Sequence, residues 1–289
     1  MDFDGFIKDI TDKQWQVYGV EVYENGELIH SFGDTKEHIY DIYSATKSIL
    51  SIAFGIAYDR GQIGIADPLT ELLPKEYIDR MSSAKKEQWK AITMERLLTM
   101  SVADLPFRPE GDDYLKYSLS CDIADPGCKE FNYSNISAYL TGVALTQALG
   151  CDLSEFIKHE ILEPLGIKRY ELGRSPEGYF YGASKMKMSV NGLSRIGLLL
   201  ANKGEFEGKK ILSEEYVRNA TSIKQMNREG GYGYFIWKYR NGFSINGKWK
   251  QKCYVLPDEG LIVTYLSHIE DDSNDLLYSM EKHILGISK

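Results

Sequence analysis

The stretch Tyr43-Ser44-Ala45-Thr46-Lys47-Ser48-Ile49-Leu50-Ser51-Ile52-Ala53-Phe54-Gly55-Ile56-Ala57 carries most of the information about the fold. Ile49, Ile52, Ala53, Ile56 and Ala57 recur at helical spacing, and Gly61 closes the helix they define. Ser44 opens this helix, directly after Ile42-Tyr43. Three residues apart, Ser44 and Lys47 share one helix face. A lysine amine so placed takes the serine proton, provided that burial draws its pKa toward neutrality. The apolar helix runs into the core and so predicts a desolvated Lys47. Its N-terminus adds free N–H groups and a positive dipole end, which favour an oxyanion at Ser44. The same residues also fit a plain N-cap with a lysine snorkelling to the surface. The stretch alone does not separate the two readings.

Ser-x-x-Lys occurs five times: Ser44/Lys47, Ser82/Lys85, Ser83/Lys86, Ser184/Lys187 and Ser279/Lys282. Context sets the first apart. Ser82 and Ser83 lie in a hydrophilic segment, where a lysine stays solvated and protonated. Ser279 lies in a polar helix near Glu281, and Ser184 has no apolar helix directly behind it.

Working outward, residues 16–32 alternate apolar and polar side chains around Glu24-Asn25-Gly26, which predicts two strands joined by an Asn-Gly hairpin turn. Residues 67–174 read as mostly helical, broken at Pro74, Pro106, Pro126 and Pro164. A helix is expected over 189–201. Strands are expected over 232–239, 242–245, 252–256 and 261–267, and a last helix over 275–285. Strands at both ends of the chain around a helical middle predict an α+β fold, with the terminal segments sharing one sheet.

Tyr-x-Asn occurs at Tyr23/Asn25, Tyr133/Asn135 and Tyr239/Asn241. The first sits at the hairpin turn and the third at a strand end, where asparagine is turn chemistry. Tyr133-Ser134-Asn135 instead precedes an apolar helical stretch, Ile136 to Leu149. A tyrosine there can point into a cleft and share a proton with Lys47; a helix cap plus a packing aromatic is the plainer alternative.

The chain has 289 residues, 43% hydrophobic and 26% charged. That suits an ordinary globular protein with a sizeable core and excludes collagen, coiled-coil and disordered classes. The longest nearly apolar run, Ile49 to Tyr58, is half of what a membrane span needs. A net charge of −8 disfavours nucleic acid and anionic membrane surfaces as partners. The first residues lack a basic region followed by an apolar one, so no secretory signal is expected. Cys121, Cys128, Cys151 and Cys253 match no zinc or redox spacing, which favours free thiols in a reducing, cytoplasmic compartment. There is no Gly-x-Ser-x-Gly elbow, P-loop, His-Glu-x-x-His or calcium loop, and no metal or other cofactor is expected.

Taken together, these segments resemble the serine beta-lactamase and penicillin-binding-protein-like hydrolase family, with its class C lactamases and related esterases. Ser44-Ala45-Thr46-Lys47 is similar to the family's nucleophile motif and Tyr133-Ser134-Asn135 to its second motif. Ala66-Asp67-Pro68-Leu69 through Leu73-Pro74, Arg96-Leu97-Leu98-Thr99-Met100-Ser101 and Glu163-Pro164-Leu165-Gly166-Ile167 resemble family segments in the family's order. The third motif, Lys-Thr-Gly or His-x-Gly in the family, matches by position Ile245-Asn246-Gly247, where the glycine is kept and the cationic or imidazole residue is replaced by Ile245.

The resemblance implies a lactamase-like fold: an antiparallel sheet flanked by helices. A single domain over 1–289 is expected, with a helical lobe at about 67–175 inserted between sheet halves 1–66 and 176–289. It implies a serine hydrolase acting on a small-molecule ester or amide, with Ser44 as nucleophile and Lys47 and Tyr133 relaying its proton. The N–H groups of Ser44 and Lys248 would hold the oxyanion. Asn135 and Gly247 would contact substrate, Asn135 alternatively orienting Lys47. Trp237 and Tyr234 are candidates for the pocket wall, with packing as the plainer role. The alternatives are a beta-lactamase or D-Ala-D-Ala peptidase, and a non-catalytic binding or sensor protein. The loss of a cation at Ile245 predicts that neutral esters are preferred to lactams, and that Ile245→Lys raises lactam turnover.

Overall fold

Asn25 and Gly26 make the expected tight turn, both in the left-handed region with φ of +52° and +86°. This pair of positive angles suits a two-residue hairpin, because its twist matches that of the flanking strands. In the computed structural model, which describes residues 1–287, the turn joins β1 (Val17–Glu24) to β2 (Glu27–Gly33). The other strands are β3 (Tyr40–Asp41), β4 (Tyr170–Leu172), β5 (Met186–Met188), β6 (Glu205–Phe206), β7 (Lys209–Lys210), β8 (Trp237–Tyr239), β9 (Gly242–Gly247), β10 (Gln251–Leu256) and β11 (Leu261–Ser267). The main sheet has six strands in the order β2-β1-β11-β10-β9-β8. Its named ladders are antiparallel, and β1 lies against β11, with Val22 opposite Val263.

The helices are α1 (Phe3–Asp12), α2 (Thr46–Asp59), α3 (Lys75–Arg80), α4 (Ser83–Lys90), α5 (Met94–Leu98), α6 (Tyr114–Ser120), α7 (Asn135–Leu149), α8 (Leu153–Ile157), α9 (Val190–Ala201), α10 (Glu214–Thr221) and α11 (Asp275–His283). One sheet face carries Phe243, Ile245, Cys253, Val255, Ile262 and Leu266, which form one core with α2, α7 and α9. On the other face, Val20, Val22, Tyr254, Val263 and Tyr265 pack under Phe6 and Ile10 of α1 and Leu276 and Met280 of α11. The period-two alternation along each strand assigns its residues to these two cores. This is the mixed fold of helices and antiparallel sheet that the sequence predicts.

Two expectations need correction, and one helix was not expected. The strand expected over 232–239 is ordered as a strand only over Trp237–Tyr239. Phe235 has φ of +57°, so the extended path cannot begin before it. The middle of the chain is less helical than its polarity pattern suggested: residues 99–113 and 121–134 are irregular connections that wrap toward the site. The N-terminal helix α1 was not foreseen, although Phe3, Phe6, Ile7 and Ile10 have helical spacing and Asp2 caps it by accepting from the Gly5 N–H.

A small sheet, β3-β5-β4, matters more for function than its size suggests. Met186 in β5 accepts a hydrogen bond of 3.0 Å from the N–H of Ile42, two residues before Ser44. Ala183 precedes the same strand and presents its carbonyl to Lys47.

Candidate active site

Ser44 does not cap α2. It lies on a turn of 3-10 helix, Tyr43–Ala45, from which α2 continues at Thr46. Tyr43, the residue before it, has φ of +47°. A bulky residue rarely adopts that conformation, which costs on the order of 1–3 kcal/mol and persists only where neighbours over-determine it. The neighbours are visible. Thr46 Oγ1 donates to Tyr43 O at 2.7 Å, and the Tyr43 ring meets Trp249 edge-on, with centroids 5.0 Å apart.

Every residue of α2 from Thr46 to Ala57 is buried, so Lys47 has no path along the helix surface to water. Its Nζ lies 3.0 Å from Ser44 Oγ and donates to Asn135 Oδ1 and to Ala183 O, both at 2.7 Å. Burial draws the amine down to about 7 from its ordinary value near 10.5. A buried ammonium without a carboxylate partner is costly, and the group sheds its proton instead. The snorkelling alternative is thereby excluded for Lys47.

Asn135 is the first residue of α7 and is itself buried. The helix begins there because Ser134 caps it, accepting from the N–H of Ile136. The cap is therefore Ser134, while its two neighbours turn toward Lys47. Asn135 also interacts with the Tyr181 hydroxyl, whose pKa burial pushes up to about 12. Lys47 Nζ sits 4.9 Å from the Tyr133 ring centroid. Burial pushes the Tyr133 phenol up to about 12, partly opposed by the Ser44 side chain near its hydroxyl. Near neutral pH the phenol stays protonated, so the base in this pair is the amine.

Four more aromatic rings surround Tyr133. Phe107 and Trp237 stack on it, with centroids at 6.5 and 5.5 Å. Tyr232 meets it edge-on at 6.2 Å, and Phe131 is tilted at 6.4 Å. Trp237 thus belongs to the wall beside the nucleophile. Tyr234 makes none of these contacts: it packs by Tyr216 and Lys224.

The strand β9 ends against the nucleophile turn. A Cβ on Gly247 would stand 2.2 Å from the carbonyl oxygen of Ile42, so only glycine allows this approach. Lys248 follows directly, in a short turn, 248–250, that leads into β10. Ile245 is wholly buried on the core face of β9. Of the residues singled out from the sequence, Ser44, Lys47, Tyr133 and Asn135 converge on one point, and Gly247 packs on the backbone that carries Ser44. Ala183, Tyr181, Phe107 and Phe131 were missed. Backbone carbonyls and single aromatics have no spacing signal, and these reach the site through irregular connections.

The other Ser-x-x-Lys pairs have local roles. Ser82 caps α4, Lys187 pairs with Glu171 at 2.9 Å, and Ser279 donates to Asp9 at 2.7 Å. Among the described residues no group of three or more His, Cys, Asp or Glu is placed to hold a metal ion. No helix among them is long and apolar enough to cross a membrane.

The family model that matches the chain, over residues 5–279, is the one described as Beta-lactamase. The chain belongs to the beta-lactamase family. A beta-lactamase from Escherichia coli K12 is 24% identical over 139 residues, 46% of this chain and 34% of that protein. The match therefore spans about a third of that relative's length. Among solved structures, an octameric penicillin-binding protein homologue from Pyrococcus abyssi is similar, with a TM-score of 0.71 and 18% identity over 99% of this chain and 78% of that one. EstCE1, described as a hydrolase with promiscuous acyltransferase activity, is similar with a TM-score of 0.76 and 13% identity over 97% of both chains. At these identities the likeness establishes the fold.

Proposed function

We propose that this beta-lactamase family member is a serine hydrolase that cleaves a small-molecule ester or amide through an acyl-enzyme on Ser44. The observation that carries the reading is the buried Lys47 amine, drawn down to about 7 and 3.0 Å from Ser44 Oγ. Neutral Lys47 accepts the Ser44 proton as Oγ attacks the carbonyl carbon. The N–H groups of Ser44 and Lys248 hold the resulting oxyanion; such a donor is worth about a hundredfold or more in rate. The proton then passes through the Tyr133 hydroxyl to the leaving oxygen or nitrogen, the bond to the carbonyl carbon breaks, and an alcohol or amine departs. Water attacks the acyl-enzyme with Lys47 again as base, Ser44 recovers its proton, and a carboxylic acid leaves. Asn135 Oδ1 and Ala183 O fix the amine beside Oγ throughout.

The third motif carries no cation, which favours a neutral ester or amide over the lactam and D-Ala-D-Ala substrates of the alternative reading. A cation facing a substrate carboxylate contributes roughly 1.5–3 kcal/mol, and Ile245, buried in the core, supplies none. A silent binding protein has no use for a buried lysine that titrates near neutrality beside a serine. The four free cysteines fit a reducing compartment, and the cytoplasm is the location we propose.

The test is labelling by a fluorophosphonate probe, located by peptide mapping, together with turnover of nitrophenyl esters. Label on Ser44 that is lost in Ser44→Ala, with turnover lost in step and the fold retained, is the expected result. Turnover unchanged in Ser44→Ala would remove the mechanism. No label and no turnover in the unmodified protein would favour the binding reading. Turnover of a chromogenic cephalosporin at or above that of a neutral nitrophenyl ester would favour the lactamase reading.

A further inference from the structure

Two consecutive non-glycine residues in the turn beside the nucleophile, Trp249 and Lys250, have left-handed backbones, with φ of +58° and +65°. L residues resist this conformation, and a turn built from it relaxes readily by rotating a peptide plane unless its carbonyls are held. They are held by one buried side chain. Gln251 Nε2 donates to Lys248 O at 3.0 Å and to Ser267 O at 2.6 Å, with Trp249 O at 3.4 Å. Its Oε1 accepts from the Ser267 N–H at 3.0 Å, so both ends of the amide are engaged and its orientation is set. Ser267 Oγ adds contacts of 2.9 Å to Trp249 O and 3.1 Å to Lys250 O. All three carbonyls of the turn are thus drawn to the end of β11. The outer side of the turn is braced by Trp249, which packs on His268 with ring centroids 4.0 Å apart and on Tyr43 beside the nucleophile.

We propose that Gln251, assisted by Ser267, is a positioning residue that fixes the oxyanion turn, keeping the Lys248 carbonyl turned away from the cleft so that the Lys248 N–H meets the developing negative charge. The proposal rests on the reading of Lys248 as an oxyanion donor. That carbonyl lies on the peptide plane next to the donor's, so rotating it toward the cleft would set a negative oxygen against that charge and loosen the turn that carries the donor. The network therefore acts on the transition state and leaves ground-state substrate binding nearly untouched.

Gln251→Met keeps the volume and removes the hydrogen bonds; Ser267→Ala removes only the hydroxyl contacts. Each is compared with the unmodified protein in kcat, KM, thermal unfolding and affinity for an alkyl boronic acid, whose serine adduct places an oxygen in the oxyanion position. In Gln251→Met, kcat is expected to fall by about a hundredfold with KM within about threefold, as for loss of one oxyanion donor. Boronate affinity should fall in proportion to kcat/KM. Ser267→Ala should move in the same direction by less, and it carries the test by itself if Gln251→Met does not fold. A kcat within about threefold of the unmodified protein in the folded variants would overturn the proposal, as would a fall in kcat with boronate affinity unchanged. Absence of both turnover and boronate adduct in the unmodified protein would instead overturn the hydrolase reading, and this role with it.

Discussion

Lys47→Met gives a test of the buried amine that does not depend on knowing the substrate. The folded protein holds Lys47 at about 7, while an unfolded chain holds it near 10.5. Between these values the unfolded state binds a proton that the folded state has shed. Stability therefore rises with pH across this window. Below about 7 both states are protonated and the full penalty of burying the charge is present; above 10.5 it is gone. Integrating the linkage from pH 7 to pH 9.5 gives about 3 kcal/mol of stability gained by the unmodified protein. Methionine matches the length of the lysine stem and does not titrate. Its other effects, chiefly the unpaired Asn135 Oδ1 and Ala183 O, do not vary with pH over this range, and tyrosine ionisations are common to both proteins. The difference in unfolding free energy between the two should therefore move toward the unmodified protein by about 3 kcal/mol from pH 7 to 9.5, whatever its sign at pH 7. Urea unfolding monitored by tryptophan fluorescence measures this as a relative midpoint shift on the order of 1 M. A difference that stays flat over the window would show that Lys47 titrates like a solvated lysine, and would refute both the desolvation argument and the base it supplies.

The same amine governs the rate. For a neutral ester, kcat/KM should climb as pH rises through about 7 and then level off, because the neutral amine is the active form; a profile flat from pH 5.5 to 8.5 would exclude Lys47 as base. Lys47→Arg should be inactive at every pH in that range, since a guanidinium stays protonated, and the measurement is ester turnover on folded protein. Tyr133→Phe should lose about a hundredfold or more in kcat, with its thermal midpoint nearly unchanged because the ring packing among Phe107, Phe131, Tyr232 and Trp237 survives; near-full kcat would remove the hydroxyl from the relay. Ile245→Lys, which the sequence suggested as a way to raise lactam turnover, should chiefly destabilise the protein by several kcal/mol, because the side chain it replaces is wholly buried in the core; thermal unfolding checks this.

Much of this protein is written locally in its chain. The Asn25-Gly26 turn follows from φ preferences, and the apolar spacing from Ile49 to Ala57 defines α2 without any knowledge of its neighbours. The alternation in residues 242–267 separates the two faces of the main sheet in the same way. The candidate nucleophile and its lysine were legible because a helix brings residues three apart together whatever surrounds them. The second motif was legible as a pattern, but its work was divided differently: Ser134 caps, while Tyr133 and Asn135 face Lys47. The pairing of the terminal strands was expected from their place around a helical middle, but a particular atom-to-atom contact between distant segments has no local signal. The carbonyl of Ala183 reaches Lys47 only because β5 pairs beside the nucleophile turn, and the carbonyls of 248–250 are gathered by Gln251 and Ser267 only because β10 begins where β11 ends. The state of Lys47 itself belongs to the same class. Its place on the helix is a property of a few neighbouring residues, but its proton is decided by desolvation, and desolvation is set by every element packed around it.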